Sequence, residues 1–162
     1  MAATVGALRG VKNMMRNLNK EILKIKGRSM KGLIEAAIVI RRDMDKTPPL
    51  IPVDTGNLRA SSFITTHQGA IESAANFRGP NAGEMSGDHR EAIAKVQSSA
   101  RAYMKGPVVG MGFSASYAEP VHESKAGKNW NRESSGPKFF EKALKRNEQV
   151  IVDIVRANAK II

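Results

Sequence analysis

The sequence contains no cysteine, and aromatic residues make up only 5% of its 162 residues. Without cysteine the chain has neither a disulfide framework nor a thiolate metal site. Because aromatic side chains are scarce, there is no row of stacking platforms for single-stranded nucleic acid. The longest apolar stretch, residues 33–40, is short and is interrupted by Glu35. A bilayer-spanning helix needs about 20 apolar residues, so we expect no transmembrane segment.

The N-terminus lacks the compact apolar core and small-residue cleavage site of a secretory leader. A chain of this length can bury a core as one domain, and no repeat or linker divides it. We therefore expect a single domain, residues 1–162, that is made and used inside a cell or is built into a particle there.

The chain is strongly basic, with a formal net charge of +11, and the charge is uneven. Residues 1–46 hold 11 Lys and Arg against 4 Asp and Glu, a net of +7. The central residues 47–136 carry a net of +1 and residues 137–162 a net of +3. A nucleic acid or an acidic protein surface is the partner class that this charge indicates, and a solvated helix face is the alternative.

Motifs that carry catalysis are scarce. The chain has no Gly-x-x-x-x-Gly-Lys-Ser/Thr loop and no Gly-x-Ser-x-Gly elbow. An Asp-Thr-Gly triplet at 54–56 also occurs in aspartic proteases, which need a second catalytic Asp in a β-rich chain, whereas its flanks here are helical and basic. His122 has Glu123 beside it and is the alternative candidate for a zinc ligand or general base. We expect no enzyme, no cofactor and no metal site.

The first third of the chain has the pattern of one long amphipathic helix, residues 8–42. Apolar residues recur at steps of three and four, which places them on one stripe. The stripe comprises Leu8, Val11, Met15, Leu18, Ile22, Ile25, Leu33, Ala37 and Ile40. Gly27 and Gly32 indicate a possible bend. Such a helix outruns a small domain, so its far end needs a second surface, either a neighbouring subunit or the chain's own sheet.

Three prolines at 48, 49 and 52 end this helix, and the Asp-Thr-Gly triplet that follows predicts a tight turn. In that turn Asp54 and, more weakly, Thr55 accept from backbone N–H groups, while Gly56 supplies a positive φ. Loose alternation and β-branched residues then predict a strand over 57–67.

The remaining elements alternate between helix and strand. An inserted helix capped by Asp88 is predicted over 88–104, a strand over 107–114, and a short helical or turn segment over 117–124. Pro137 opens a C-terminal helix, 137–160. The fold class expected from these elements is α+β, with the long N-terminal helix and the C-terminal helix packed on a small, mainly antiparallel sheet.

Three ordered stretches, TPPLIPVDTGNLRASS, VVGMGFSASYAEPVHES and PKFFEKALKRN, give the chain a family resemblance. Together they resemble the minor tail, or tail-completion, family of long-tailed double-stranded DNA bacteriophages. The matching positions are Pro52, Val53, Thr55, Gly56, Leu58, Arg59, Ser61, Val109, Gly110, Tyr117, Ala118, Val121, His122, Glu123, Pro137, Phe139 and Phe140. The match spans residues 47–147. It departs from the family at Ser124-Lys125, where Gly-Thr is usual, and in a longer insertion around 72–104.

The resemblance implies a non-enzymatic virion protein of the phage neck, assembled in the host cytoplasm. It would form a homo-oligomeric ring, six-fold or twelve-fold, at the head-proximal end of the tail. Its implied partners are a tail terminator or tail tube protein and head-completion or adaptor proteins, with duplex DNA passing through the lumen without specific binding. The candidate interface residues are Thr55, Gly56, Leu58, Arg59, Tyr117, His122, Glu123, Phe139 and Phe140.

Two of these implications have physical alternatives. Arg59 would lie near a subunit boundary, or it would form an ordinary ion pair within the chain. A ring that gripped DNA would impede ejection, so we expect the positive charge of the N-terminal helix to face acidic proteins rather than the lumen.

The main alternative function is a sequence-independent basic nucleic-acid-binding protein, which would bind duplex DNA with a steep salt dependence. A lipid-surface protein that uses the basic N-terminal helix is a further alternative, but the helix lacks anchoring aromatic residues.

Overall fold

The computed structural model describes residues 3–73, 75–103, 106–124 and 129–160, with side chains described from residue 14 onward. The elements of this part of the chain are α1 (Ala3–Lys46), α2 (Asn57–Ala60), β1 (Ser62–Thr66), β2 (Ala70–Glu72), α3 (Ala82–Ala102), β3 (Val109–Phe113), α4 (Ala118–His122), α5 (Phe139–Arg146) and α6 (Glu148–Ala159). The predicted α+β class is confirmed, since helices surround a three-stranded antiparallel sheet.

The long N-terminal helix is longer than the predicted 8–42. It continues to Lys46, and the N–H of Thr47 still donates to the carbonyl of Asp43 at 2.8 Å. Pro48 is the first residue of this segment that has no N–H to donate, so the helix can extend almost to it. The helix also continues through Gly27 and Gly32, where the sequence indicated a possible bend.

The predicted strand 57–67 is wrong over its first residues. After Gly56, at φ 89°, the chain makes one turn of helix, in which the N–H of Ala60 donates to the carbonyl of Gly56 at 2.9 Å. This turn buries Leu58 in the core, and burial outweighs the β propensity of the segment. The strand proper begins at Ser62 and pairs with β3, with Ile64 opposite Met111.

The sheet has the order β2-β1-β3, with β1 in the centre. The predicted strand 107–114 is present as β3, and its glycine side does allow a close approach. A Cβ added at Gly110 would lie 2.3 Å from Cγ1 of Val96 on α3. The exposed edge strand β2 was not predicted, because its three residues show no alternation long enough to be read from sequence.

The inserted helix starts six residues earlier than predicted. Asp88 lies inside α3 rather than at its cap, and Asn81 occupies the N-cap position. The small residues before Asp88 have the composition of a loop, but packing of Met85 and burial of His89 hold the first turns against the core. The predicted end at Met104 lies outside the described residues.

The predicted C-terminal helix 137–160 is in fact two helices, α5 and α6, separated at Asn147. The side-chain amide of Asn147 donates to the carbonyl of Ala143 at 2.8 Å, and its backbone leaves the helical region at φ −100°, ψ 7°. An Asn side chain that hydrogen-bonds to a nearby backbone group competes with the backbone hydrogen bonds of the helix, and this favours a helix end. Pro137 is not the first helical residue, because Lys138, at φ 58°, precedes α5 as its N-cap.

The core lies where the C-terminal half of α1, the turn before α2, and α5 meet. Phe139 is its largest fully buried side chain, and the ring of Phe113 meets it edge-on with centroids 5.5 Å apart. The buried members of this cluster are Ile40, Met44, Ile51, Leu58, Ala115, Phe139 and Ala143.

Helix α6 packs antiparallel on α1. Arg146, at the end of α5, pairs with Asp43 at 2.5 Å, and Asn158, near the end of α6, donates to Glu35 at 2.8 Å. A Cβ added at Gly32 would lie 2.9 Å from the Cα of Val155, so the two backbones come very close there. Because α6 ends at Ala159, the part of α1 before about residue 28 extends past it.

Candidate functional site

The three sequence stretches that carry the family resemblance meet in the fold. Leu58 from the first, Val121 from the second and Phe139 from the third all pack in or against the same core cluster. The ring of His122 lies edge-on to that of Phe139 with centroids 5.0 Å apart. Leu58 and Phe139 are therefore buried residues that hold the motif segments together, and Phe140 is half-buried beside them.

The Asp-Thr-Gly turn lies at the surface and separates two grooves. Asp54 and Thr55 are exposed, and both grooves are lined by Val53, Asp54, Thr55, Gly56 and Arg78. Thr55 Oγ1 accepts from the N–H of Asn57 at 3.4 Å, as predicted. Asp54, predicted to accept from backbone N–H groups, accepts instead from the side-chain amide of Asn131 at 2.8 Å. The turn is thus tied to a distant loop.

The groove on one side has a volume of about 1000 Å³ and is rich in arginine. Asp45 of α1 lines this groove, and its carboxylate forms ion pairs with three arginines. Its Oδ2 lies 2.5 Å from Nη1 of Arg41, and its Oδ1 lies 2.9 Å from Nε of Arg59 and 3.9 Å from Nη1 of Arg132. Arg59 therefore forms an ion pair within the chain, which was one of the two expectations for it. Arg41 and Asp45, four residues apart on one helix, are a pair that the sequence could have suggested. Arg132, from a remote loop, had no such signal.

The groove on the other side has a volume of about 600 Å³ and is more apolar. It continues into a smaller cavity of about 190 Å³, with which it shares Asn81, Met85 and Tyr117. We call the two together the acidic groove. Its apolar lining includes Leu58, Met85, Tyr117, Val121 and Trp130, and its acidic residues are Asp54, Glu84 and Asp88.

The described residues that line the acidic groove carry a negative net charge. Arg78 is the only basic residue among its described lining residues, against the three carboxylates. Glu119, exposed on α4, lies two residues from the lining Tyr117. Tyr117 itself is 39% exposed, and burial, followed by the charge of Asp54, raises the pKa of its hydroxyl. A basic, partly apolar partner fits such a surface.

His122 and Glu123, both motif residues, form a small polar cluster with Lys138 at the start of α5. His122 Nε2 accepts from the backbone N–H of Glu141 at 3.4 Å, so Nδ1 carries the proton that faces Glu123 Oε1 at 2.7 Å. Lys138 pairs with the other oxygen of Glu123 and with Glu141. The cluster ties α4 to α5.

The pKa of Glu123 is held below its usual 4.5, first by the hydrogen bond from Lys138 and then by that from His122. We expect Lys138→Met to raise this pKa towards 4.5, because the larger of the two donors is lost. Carboxyl ¹³C chemical shifts followed from pH 2 to 7 would measure it, with Lys142→Met, one turn along α5, as the control. Equal values for Glu123 in both variants would contradict the assigned contact.

The lowered pKa also gives a direction for stability. A carboxylate whose folded pKa is depressed contributes stability above its unfolded pKa, and this contribution is lost as the pH falls through the folded value. In the Lys138→Met variant the Glu123 contribution is smaller, so the variant should lose less stability than the parent on acidification below pH 4.5. The pKa of Lys138, conversely, is raised by Glu123, so its contribution is lost only above the usual 10.5.

The N-terminal part of α1 presents an apolar stripe that no other described element covers. We call residues 14–26 the N-terminal arm; every position in it is exposed except Ile25, which is half-buried. Leu18 is 58% exposed and Leu23 68% exposed. The arm does not lie across the chain's own sheet, which was one of the two expectations for it. The predictions for Leu8 and Val11 concern side chains outside the described set.

Among the described residues no group of three or more His, Asp or Glu side chains is placed to hold a metal ion. No described helix is both long enough and apolar enough to cross a membrane. Comparisons of the chain with protein-family models, curated proteins and solved structures find no match. The site is therefore interpreted from its own geometry and from the sequence motifs.

Proposed function

We propose that this chain is a structural virion protein of the neck of a long-tailed double-stranded DNA phage. It forms a ring at the head-proximal end of the tail and joins the tail to the head. The observation that carries the proposal is the ordered set of motifs, from Pro52 through Tyr117 to Phe140, that resembles the tail-completion family.

The spatial arrangement of the motifs supports the proposal. Segments up to about 80 residues apart in sequence pack on one core through Leu58, Val121 and Phe139. The same segments form the turn and the acidic groove at the surface. The motif segments therefore contribute both to the core and to the adjoining surface that an assembly contact would use.

The N-terminal arm is the second support. An isolated helix of this length is marginal in water, and most helical stability in proteins comes from packing of the apolar face. Met15, Leu18 and Ile22 are 57%, 58% and 40% exposed, so no described element supplies such packing to this segment. Proteins that function only in an assembly commonly leave such a face for a neighbour.

In this role the ring has six or twelve copies, and its other partners are a tail terminator or tail tube protein and the head-completion or adaptor proteins. Duplex DNA passes through the lumen without specific binding. The protein is assembled in the host cytoplasm and resides in the neck of the virion. No cofactor takes part.

A strain with a nonsense mutation in this gene tests the function. We expect electron micrographs to show DNA-filled heads beside separate, otherwise complete tails, because the joint between them is missing. Particles supplied with the wild-type gene in trans are the control and should be joined. Normally joined particles in the mutant would remove the protein from the neck.

The charge of the N-terminal arm favours a second candidate, a sequence-independent nucleic-acid-binding protein. Its basic residues are Arg16, Lys20, Lys24 and Lys26, against Glu21 alone. This function would give duplex binding that weakens about 10³-fold or more between 50 and 200 mM salt, if six or more phosphates are contacted. Duplex affinity of the purified protein measured across that salt range separates the two candidates, since the ring protein is expected to bind weakly throughout.

A further inference from the structure

We propose that the N-terminal arm of one copy binds in the acidic groove of the next copy. The inference rests on the proposed ring and specifies the contact that would close it. Two surfaces of the chain are involved: a helix with an exposed apolar stripe and excess positive charge, and a groove lined by apolar and acidic residues.

The two surfaces are complementary in charge. Residues 14–26 hold four basic residues and one acidic residue, a net of +3. Among the described lining residues of the acidic groove, Asp54, Glu84 and Asp88 stand against Arg78, a net of −2. Opposite potentials of this kind select the partner and its orientation more than they add affinity.

The two surfaces also match in apolar character. The arm presents Met15, Leu18 and Ile22, which lie on one stripe over two turns of helix, about 10 Å. The groove presents Met85, Tyr117 and Val121 among its lining residues. A helix that lays its apolar face in a groove is a recurrent mode of recognition, and methionine adapts well to such contacts.

A partner arm is a poorer occupant for the stripe than the groove is. Met15, Leu18, Ile22 and Ile25 have the alternating three- and four-residue spacing of a coiled-coil seam. Two identical arms, however, would each carry a net charge of +3 and would repel one another. A two-fold contact between two arms also closes on a pair, whereas a contact between different surfaces of successive copies generates a ring.

Cysteine pairing tests the contact cleanly, because the chain has no cysteine of its own. Two differently tagged full-length proteins, Leu18→Cys and Tyr117→Cys, are mixed under oxidising conditions, and disulfide-linked heterodimers are counted on a non-reducing gel. We expect at least ten times more heterodimer than from the control mixture of Leu18→Cys with Ser98→Cys. Ser98 is an exposed residue about 15 Å along α3 from Asp88.

A second variant controls for disulfides that form through random collisions rather than through the proposed contact. Adding Met15→Ser and Ile22→Ser to the Leu18→Cys protein removes the apolar stripe and should lower the heterodimer yield to the control level. Yields equal to the control in the parent mixture would overturn the proposal. Predominant Leu18→Cys homodimers would also overturn it, in favour of paired arms.

The result of the cysteine experiment and the result of the nonsense-strain experiment can be distinguished from each other. Separate heads and tails in the nonsense strain, combined with no heterodimer, would leave the neck role standing and reject the arm-in-groove contact. Joined particles, combined with abundant heterodimer, would leave the contact standing and reject the neck role.

Discussion

Replacement of Phe139 by alanine is expected to lower the free energy of unfolding by about 3–5 kcal/mol, the typical range for Phe-to-Ala in a core. Phe139 is 1% exposed, and its ring meets those of Phe113 and His122 edge-on at 5.5 and 5.0 Å. The substitution therefore removes both the transfer energy of the ring and two aromatic contacts, and it leaves a cavity where α4 and α5 join. Since domains of this size have about 5–15 kcal/mol in total, a large share of the stability is at stake.

Urea denaturation followed by circular dichroism would measure this loss, and two variants on the same helix set its scale. Phe140→Ala should cost less, because Phe140 is only half-buried and meets Phe113 at 6.4 Å. Lys142→Ala, at an exposed position, should change the free energy by no more than about 0.5 kcal/mol. A Phe139→Ala loss no larger than that of Phe140→Ala would show that Phe139 is not the centre of this core.

The same pair of phenylalanines shows how far the sequence could predict the fold. The helical spacing of Phe140, Leu144 and Ile151 in the sequence predicts that these residues share one apolar side, but the structure buries Phe139 and Ala143 most deeply. Periodicity identifies a helix reliably when it has many turns, as in α1. In α5, only eight residues long, the phase of the stripe depends on where the helix begins. That start is set by Lys138 at φ 58°, which no propensity at this position predicts.

The candidate site was predictable to a similar, partial degree. The turn at Thr55 and Gly56 and the ion-pair alternative for Arg59 could be predicted, because turn chemistry and opposite charges act locally. The convergence of Arg59 and Arg132 on Asp45 could not, since it joins residues up to 87 positions apart. The acidic groove was not predictable either, because its walls come from α2, α3, α4 and a distant loop, and only the folded chain brings them together.

A second large effect concerns the glycines of α1, where alanine should have opposite effects at two positions five residues apart. Gly27 has open space around it, so Gly27→Ala should increase helicity and raise the free energy of unfolding by up to about 1 kcal/mol. At Gly32 a Cβ would lie 2.9 Å from the Cα of Val155 and 3.1 Å from Cβ of Asn158. These are a backbone atom and a short side chain of α6, neither of which can rotate away.

Gly32→Ala must therefore push α6 away from α1. The contact between these two helices is the most extensive one between any two elements of the described chain. The displacement would also stretch the 2.8 Å hydrogen bond from Asn158 to Glu35. Overpacking of this kind costs about 1–3 kcal/mol, which exceeds the gain in helix propensity, so the net effect should be destabilising. Gly32→Leu should be worse still, because its larger side chain has no space between the helices. Chemical denaturation of the Gly27→Ala and Gly32→Ala proteins side by side decides the matter: equal stabilisation by both substitutions would mean that α6 does not cross α1 at Gly32.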